Sequence, residues 1–315
     1  MKDQCLERIK AVIIGHAIGD ALGVPVEFAS RRELDNAPIE TMEGNGTYPV
    51  PKGSWSDDTS MSLATLDSLA NGVIDYDEIM SNFCDWLNKA KYTPTGLVFD
   101  IGRATMKSLL SYMRGENDAI NCGQKSELDN GNGSLMRIHP VVLYLANKDM
   151  TIDEKLAIIH NVSAMTHGHI RSKIACGIYA FVLWEILNEQ SIDAVKEGLQ
   201  KAELYYQNEG ELKFFNRIFS KTFIITKRED IKSSGYVVDT LEAAIWCLLT
   251  TSSYRDCVLK AVNLGEDTDT VAAIAGGLAG ALYGYDSIPG EWLEDLLKRD
   301  EIEELCCKLS KKIGS

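Results

Sequence analysis

The sequence predicts an all-α protein. Apolar residues recur at helical spacing over most of the chain, capping residues and glycines bracket these stretches, and strand signals are scarce. Ile9, Ile13, Ala17 and Ala21 share one face of a first helix that Gly23 can stop, and a second helix runs from about Thr59 to Asn71 with Gly72 after it. Asp75 caps a third, whose Ile79, Phe83, Trp86 and Leu87 face inward, and Arg103 to Arg114 forms a fourth, ended by Gly115. Thr151 and Glu154 make a T-x-x-E capping box for a helix through His160. Ile174, Ile178, Phe181, Val182 and Ile186 mark the next. Later helices are expected over 238–250, 254–263, 268–283, 291–298 and 301–312. Phe223 to Thr226 is the one convincing β-like run, and the more polar Gln190 to Ser234 reads as a helical excursion and a loop on the surface, not a separate domain.

Composition narrows the functional class. An apolar fraction of 45% over 315 residues can bury a large core, and one domain over 1–315 is the expected organisation. The net charge of −14 opposes bulk nucleic-acid binding, which needs an excess of Lys and Arg to displace counterions. It also disfavours acidic membranes, but leaves room for an anion held by main-chain N–H groups. No apolar run reaches the roughly 20 residues of a membrane span; the longest, Val271 to Tyr285, is rich in Gly and Ala and reads as a tightly packed helix. The polar stretch from Met1 to Lys10 leads us to expect no signal peptide. None of the eight cysteines forms a C-x-x-C pair, and most fall in apolar helical patterns, so free thiols in a reducing cytoplasm are expected.

Three acidic clusters fall at helix boundaries: Gly19-Asp20 through Glu27-Phe28, Ser56-Asp57-Asp58-Thr59, and Gly265-Glu266-Asp267-Thr268-Asp269-Thr270. Helix capping explains one such residue per helix start, and for the second cluster it is a sufficient reading. The third supplies four candidates where one is needed. Crowded carboxylates raise one another's pKa unless a cation neutralises them. Carboxylates with Ser and Thr hydroxyls are hard oxygen donors, which suit Mg²⁺, Mn²⁺ or Ca²⁺ and not Zn²⁺. Four or five carboxylates exceed the share of one Mg²⁺ and point to two ions about 3.5–4 Å apart.

The motifs Gly15-His16-Ala17-Ile18-Gly19-Asp20-Ala21-Leu22-Gly23, Ser56-Asp57-Asp58-Thr59 and Gly265-Glu266-Asp267-Thr268-Asp269-Thr270 resemble, in this order, those of the ADP-ribosylglycohydrolases, among them the bacterial dinitrogenase reductase-activating glycohydrolases. The resemblance extends from about Ile9 to Tyr285. It implies a compact orthogonal helical bundle with a binuclear metal centre, two Mg²⁺ with Mn²⁺ as the alternative, in a central cleft. Ser56, Asp57, Asp58, Asp267, Asp269 and Thr270 match the family's metal-ligand clusters, with Ser56 standing where Thr is common. Glu27 matches an acidic residue given a catalytic part in some members, and we expect Glu27, Asp100 and Asp269 to carry the chemistry. The implied activity is release of ADP-ribose from a modified protein side chain.

Further segments are expected to hold the ligand. Asn130 to Arg137 is a Gly-rich loop that fits neither the P-loop nor G-x-G-x-x-G, so it is an ordinary turn or an uncharged cradle for a diphosphate. The family's similar loop lies on the ADP-ribose phosphates, which implies that role for Asn132, Gly133, Ser134 and Met136. A helix C-terminus accounts for His167 and His169 equally well, but a similar Thr-His in the family implies His167 near phosphate or ribose; His169 stays unassigned. Asp100 in Phe99-Asp100-Ile101-Gly102 is a helix cap or, by resemblance to arginine-specific members, the partner of a guanidinium leaving group, with Gly102 allowing close approach. Tyr236 is a candidate to stack on adenine, or an aromatic covering the core. Trp55 either walls the cleft or belongs to the core, and the Gly276-Gly277, Gly280, Gly284 spacing reads as close helix packing. Two rival readings are a two-metal nucleotide pyrophosphohydrolase, whose helical E-x-x-E pairs are not the pattern here, and a non-catalytic ADP-ribose binder. Other acceptors, namely serine, a nucleic-acid end or a small ester, stay open beside arginine.

Overall fold

The computed structural model describes residues 2–313. The first five helices are α1 (Lys2–Gly23), α2 (Arg31–Asn36), α3 (Asp57–Leu69), α4 (Tyr76–Lys89) and α5 (Arg103–Met113). The middle of the chain forms α6 (His139–Ala146), α7 (Ile152–Ala164), α8 (Ile170–Asn188) and α9 (Ile192–Tyr206). After a stretch of 3₁₀ turns come α10 (Val237–Leu249), α11 (Tyr254–Val262), α12 (Thr268–Tyr283), α13 (Gly290–Asp295) and α14 (Arg299–Ile313). The all-α expectation holds: among the described residues there is no β-strand, only isolated bridges joining Gln124 to His167 and Gly131 to Tyr236.

The predicted starts are present as read. Asp75 accepts the N–H groups of Asp77 and Glu78, and Thr151 with Glu154 forms both halves of its capping box. The β-like run is the exception. Phe223–Ile225 is a single 3₁₀ turn, because no neighbouring strand is present to pair with it and its amides close locally onto Ser220, Thr222 and Phe223. The predicted helix over 291–298 is shorter than expected: α13 ends at Asp295, and Lys298 takes the left-handed region before α14.

Helices α1 and α12 run against each other through the centre of the core, which one continuous cluster of apolar side chains fills. Small residues make this possible. Gly276 and Gly280 meet the main chain of Gly15 and Ala11, as the glycine spacing predicts, whereas Gly284 packs on nothing and instead ends the helix at φ +86°. Gly23 matters most for the site, since a Cβ there would overlap the Cα of Asp269. This contact, with the bond from Thr268 Oγ1 to Gly23 O at 2.8 Å, fixes the start of α12 against the end of α1.

By length and composition alone, the segment Gln4–Val26 is apolar enough to cross a membrane. The expectation of no such run therefore fails, for a physical reason: α1 is a central core helix, 89% of its apolar window is buried, and it needs no polar face. All eight cysteines are free, and Cys122, Cys176, Cys247, Cys257 and Cys306 are buried. Trp55 is 1% exposed and donates to Tyr92 O, so it belongs to the core and does not wall the cleft.

Candidate active site

The starts of α3 and α12 and the end of α1 converge on one cluster of carboxylates. Asp20, one turn before the end of α1, is fully buried and spends both oxygens on α3: Oδ1 accepts Ser56 N at 2.9 Å, and Oδ2 accepts Thr59 N and Thr59 Oγ1 at 3.0 and 2.6 Å. Asp20 thus docks the second acidic motif against the first. Asp58 Oδ2 receives the hydroxyls of Ser56 at 3.1 Å and Thr270 at 3.3 Å, which ties α3 to α12.

The capping reading can now be decided for each start. Ser56 does cap α3, through Asp58 N, while its hydroxyl also lies on the cluster. At the start of α12, Asp267 occupies the cap position but its side chain caps nothing; Oδ2 accepts instead from Asn132 Nδ2 at 2.9 Å. The acids of the third motif are therefore arranged for something other than their own helix.

Those acids are left unsatisfied. Both oxygens of Asp269, Oδ1 of Asp58 and Oε2 of Glu27 are buried without a hydrogen-bond partner. Burial, then the surrounding carboxylates, push Asp57, Asp58 and Asp269 well above the ordinary range. Burial, then the Asp100 charge, raises Glu27 to about 9; burial raises Asp100 to about 6. Glu27, Asp100 and Asp269 bring carboxylate oxygens within 4.8 Å of one another, and so do Asp57, Asp58 and Asp100. Oxygen-only donors, orphaned and mutually repelling, fit hard divalent cations and could hold them.

Asp100 is thus part of the acidic cluster itself, a placement that a reading of it as a guanidinium partner alone does not include. It sits in the left-handed region at φ +57°, and Tyr48 Oη donates to Oδ1 at 3.0 Å. Tyr48, missed in the sequence because a lone Tyr in a loop carries no motif, stacks on Phe99 with centroids 4.6 Å apart. Glu27 is held by its neighbours: Phe28 N donates to Glu266 O, and Glu266 N to Ala29 O. Both Phe28 and Glu266 take positive φ, an uncommon strain for an aromatic residue and one found at functional sites.

A cavity of about 300 Å³ opens over this cluster. Its lining includes the acidic Glu27, Asp57, Asp100 and Asp267 with Thr270, and the loop residues Gly131, Gly133 and Met136 with His167. Gly102 lies at the start of α5, beside Arg103, an exposed side chain with no ion pair among the described residues. The expected ligand residues are only partly free. Asn132 lines the cavity, but its amide is committed to Asp267 and Thr240 and its N–H to Gly235 O, so it positions the loop against α12. Ser134 turns its hydroxyl into the core, where Ser163 and Cys176 meet it, leaving only main chain for a ligand. Tyr236 stands outside the lining, behind Gly235, with its hydroxyl accepting from Arg171 at 3.0 Å. His169 caps α8 by accepting Arg171 N. The polar excursion is surface over most of its length, but its end is structural: Ser233 O receives Asp267 N.

An all-α fold that buries unpaired carboxylates beside a cavity also lined by a Gly-rich loop has the donor set of a hydrolase that uses oxygen-ligated cations. Comparison makes the assignment specific. The ADP-ribosylglycohydrolase family profile matches residues 1–315. The chain is 32% identical over 312 residues, 98% of its length and 80% of the relative's, to the ADP-ribosylarginine hydrolase Tri1 of Serratia proteamaculans. It is 30% identical to the ADP-ribosyl-[dinitrogen reductase] glycohydrolase of Rhodospirillum rubrum, covering 94% of this chain and 92% of that one. A solved ADP-ribosylglycohydrolase-related protein superposes with a TM-score of 0.82 at 29% identity, covering 98% of this chain and 99% of that one. The protein belongs to the ADP-ribosylglycohydrolase family and is a glycohydrolase.

Proposed function

We propose that this enzyme, a single catalytic domain over 1–315, hydrolyses the N-glycosidic bond between ADP-ribose and arginine side chains of proteins in a reducing cytoplasm, using two Mg²⁺ with Mn²⁺ as the alternative. The observation that carries the reading is the set of buried, partnerless oxygens on Glu27, Asp58 and Asp269 beneath the cavity. The relatives that hydrolyse ADP-ribosylarginine support the acceptor, as does Asp100, since a carboxylate is the natural partner of guanidinium. Ser56, Asp57, Asp58, Asp267, Asp269 and Thr270 are the proposed metal ligands, with Asp100 within reach of them. When bound, the ions supply positive charge that grips ribose hydroxyls and acidifies water.

The chain's own groups do the rest. The carboxylates around the reaction centre stabilise the positive charge that develops on the sugar as the bond breaks. Glu27 handles the proton of the attacking water. Asp100, with one oxygen held by Tyr48, retains or protonates the departing guanidine. Gly133, Met136 and His167 face the diphosphate, and Arg103 adds a positive charge at the rim.

The test is a panel of peptides ADP-ribosylated on arginine, serine or cysteine. Free ADP-ribose is expected from the arginine peptide at a kcat/KM at least about tenfold above the others; equal or faster release from serine would reassign the acceptor. Release of AMP would replace the glycosidase by a pyrophosphohydrolase. Glu27→Gln is expected to lower kcat by about 10²–10⁴, the usual range for loss of a general acid–base group. A wild-type rate in that variant with full metal content would remove Glu27 from proton transfer.

A further inference from the structure

Arg137 is fully buried, yet among the described residues no carboxylate pairs with it. Its Nε and Nη1 have no partner, and the guanidinium lies 4.6 Å over the Phe83 ring. Nη2 alone is engaged, donating to Val162 O at 3.2 Å and to Thr166 Oγ1 at 2.6 Å. A buried, unpaired cation is costly, so its retention calls for a reason.

We propose that Arg137 acts through Thr166 as a positioning residue that locks His167 in one tautomer, with Nε2–H presented to the diphosphate of ADP-ribose. Thr166 Oγ1 also lies 2.8 Å from His167 Nδ1. A guanidinium can only donate, so the Thr166 oxygen accepts from Arg137. The single hydroxyl proton of Thr166 then has one acceptor among the described residues, His167 Nδ1. The reverse assignment would leave that proton unpaired in a fully buried place, at a cost of about 1–3 kcal/mol. With Nδ1 accepting, Nε2 carries the hydrogen. It opens onto the cavity above the Gly-rich loop: a Cβ on Gly133 would lie 2.8 Å from His167 Cε1, 3.4 Å from Nε2 and 3.2 Å from Thr105 Oγ1. Thr105 Oγ1 is itself buried without a partner. An anionic oxygen resting in the cavity would receive Nε2–H. Burial, then the Arg137 charge, lowers the His167 pKa to about 3, so the ring stays neutral across the working range and only the tautomer is in question.

The anion being a diphosphate rests on the proposed function; the tautomer does not. The experiment uses ¹⁵N-histidine-labelled, Mg²⁺-loaded protein, with long-range ¹H–¹⁵N correlation assigning His167 by its loss in His167→Asn. We expect the Nε2–H tautomer in the wild type without ligand. Thr166→Val should erase that preference and raise the Kd for ADP-ribose about tenfold, with kcat changed less than about twofold; Thr166→Ser should restore both. An Nδ1–H ring in the wild type, a result that does not depend on the Thr166 variants folding, would overturn the relay, as would Thr166→Val leaving both tautomer and Kd unchanged. A wild-type protein with the Nε2–H tautomer but no affinity for ADP-ribose would instead overturn the diphosphate reading and uphold the relay.

Discussion

Asp269→Asn is expected to lower kcat for ADP-ribose release by at least about three orders of magnitude, equivalent to about 4 kcal/mol of barrier. Asp269 is fully buried with both oxygens unpartnered, among Glu27, Asp58, Asp100 and Asp267. Its carboxylate relieves no local donor, so its charge serves something brought into the cluster. Asn keeps the shape and removes the charge. It also removes a repulsion, so without metal the variant should melt at or above the wild-type temperature, which separates lost chemistry from lost fold. Activity above a tenth of wild type at saturating Mg²⁺ would sink the assignment.

Removing the metal should abolish turnover and make stability fall with rising pH. Glu27 is raised to about 9 from 4.5, and Asp20 and Asp100 to about 6 from 3.8. In the metal-free protein the folded state therefore binds more protons than the unfolded state between about pH 4 and 9, and stability declines through that window. Below pH 4 this contribution is fully present; above 9 it is gone. Divalent cations replace those protons, so their stabilisation grows with pH. Melting in EDTA against excess Mg²⁺ should differ by about 5–10 °C at pH 8.5 and little at pH 5. Superimposable melting curves at pH 8.5, or a metal-free Tm that rises with pH, would contradict a cation-dependent cluster.

Much of the site was legible before any coordinates. The surplus of acids at Asp267-Thr268-Asp269-Thr270 is visible as a surplus because one helix start needs one cap, and Asp267 indeed caps nothing. The loop residues were less transparent. Asn132 and Ser134 belong to a Gly-rich turn whose type suggests ligand contact, but type does not reveal that Asp267 and Ser163 already occupy those groups. The roles of Tyr48 and Arg137 left no trace, since each acts through a partner far along the chain, Asp100 and Thr166.

Most helix locations, the hard-oxygen character of the donor set and the family follow from the sequence alone, because periodicity, capping and residue chemistry are local properties written residue by residue. Which oxygens remain unpaired, where Asp100 and Asp20 stand, and how Arg137 reaches His167 depend on the close packing of α1 on α12 and the docking of α3 beside them. Those relations join residues up to about 250 positions apart, such as Gly23 and Thr268. Hydrogen-bond satisfaction is a property of the assembled neighbourhood, so only the tertiary structure decides it.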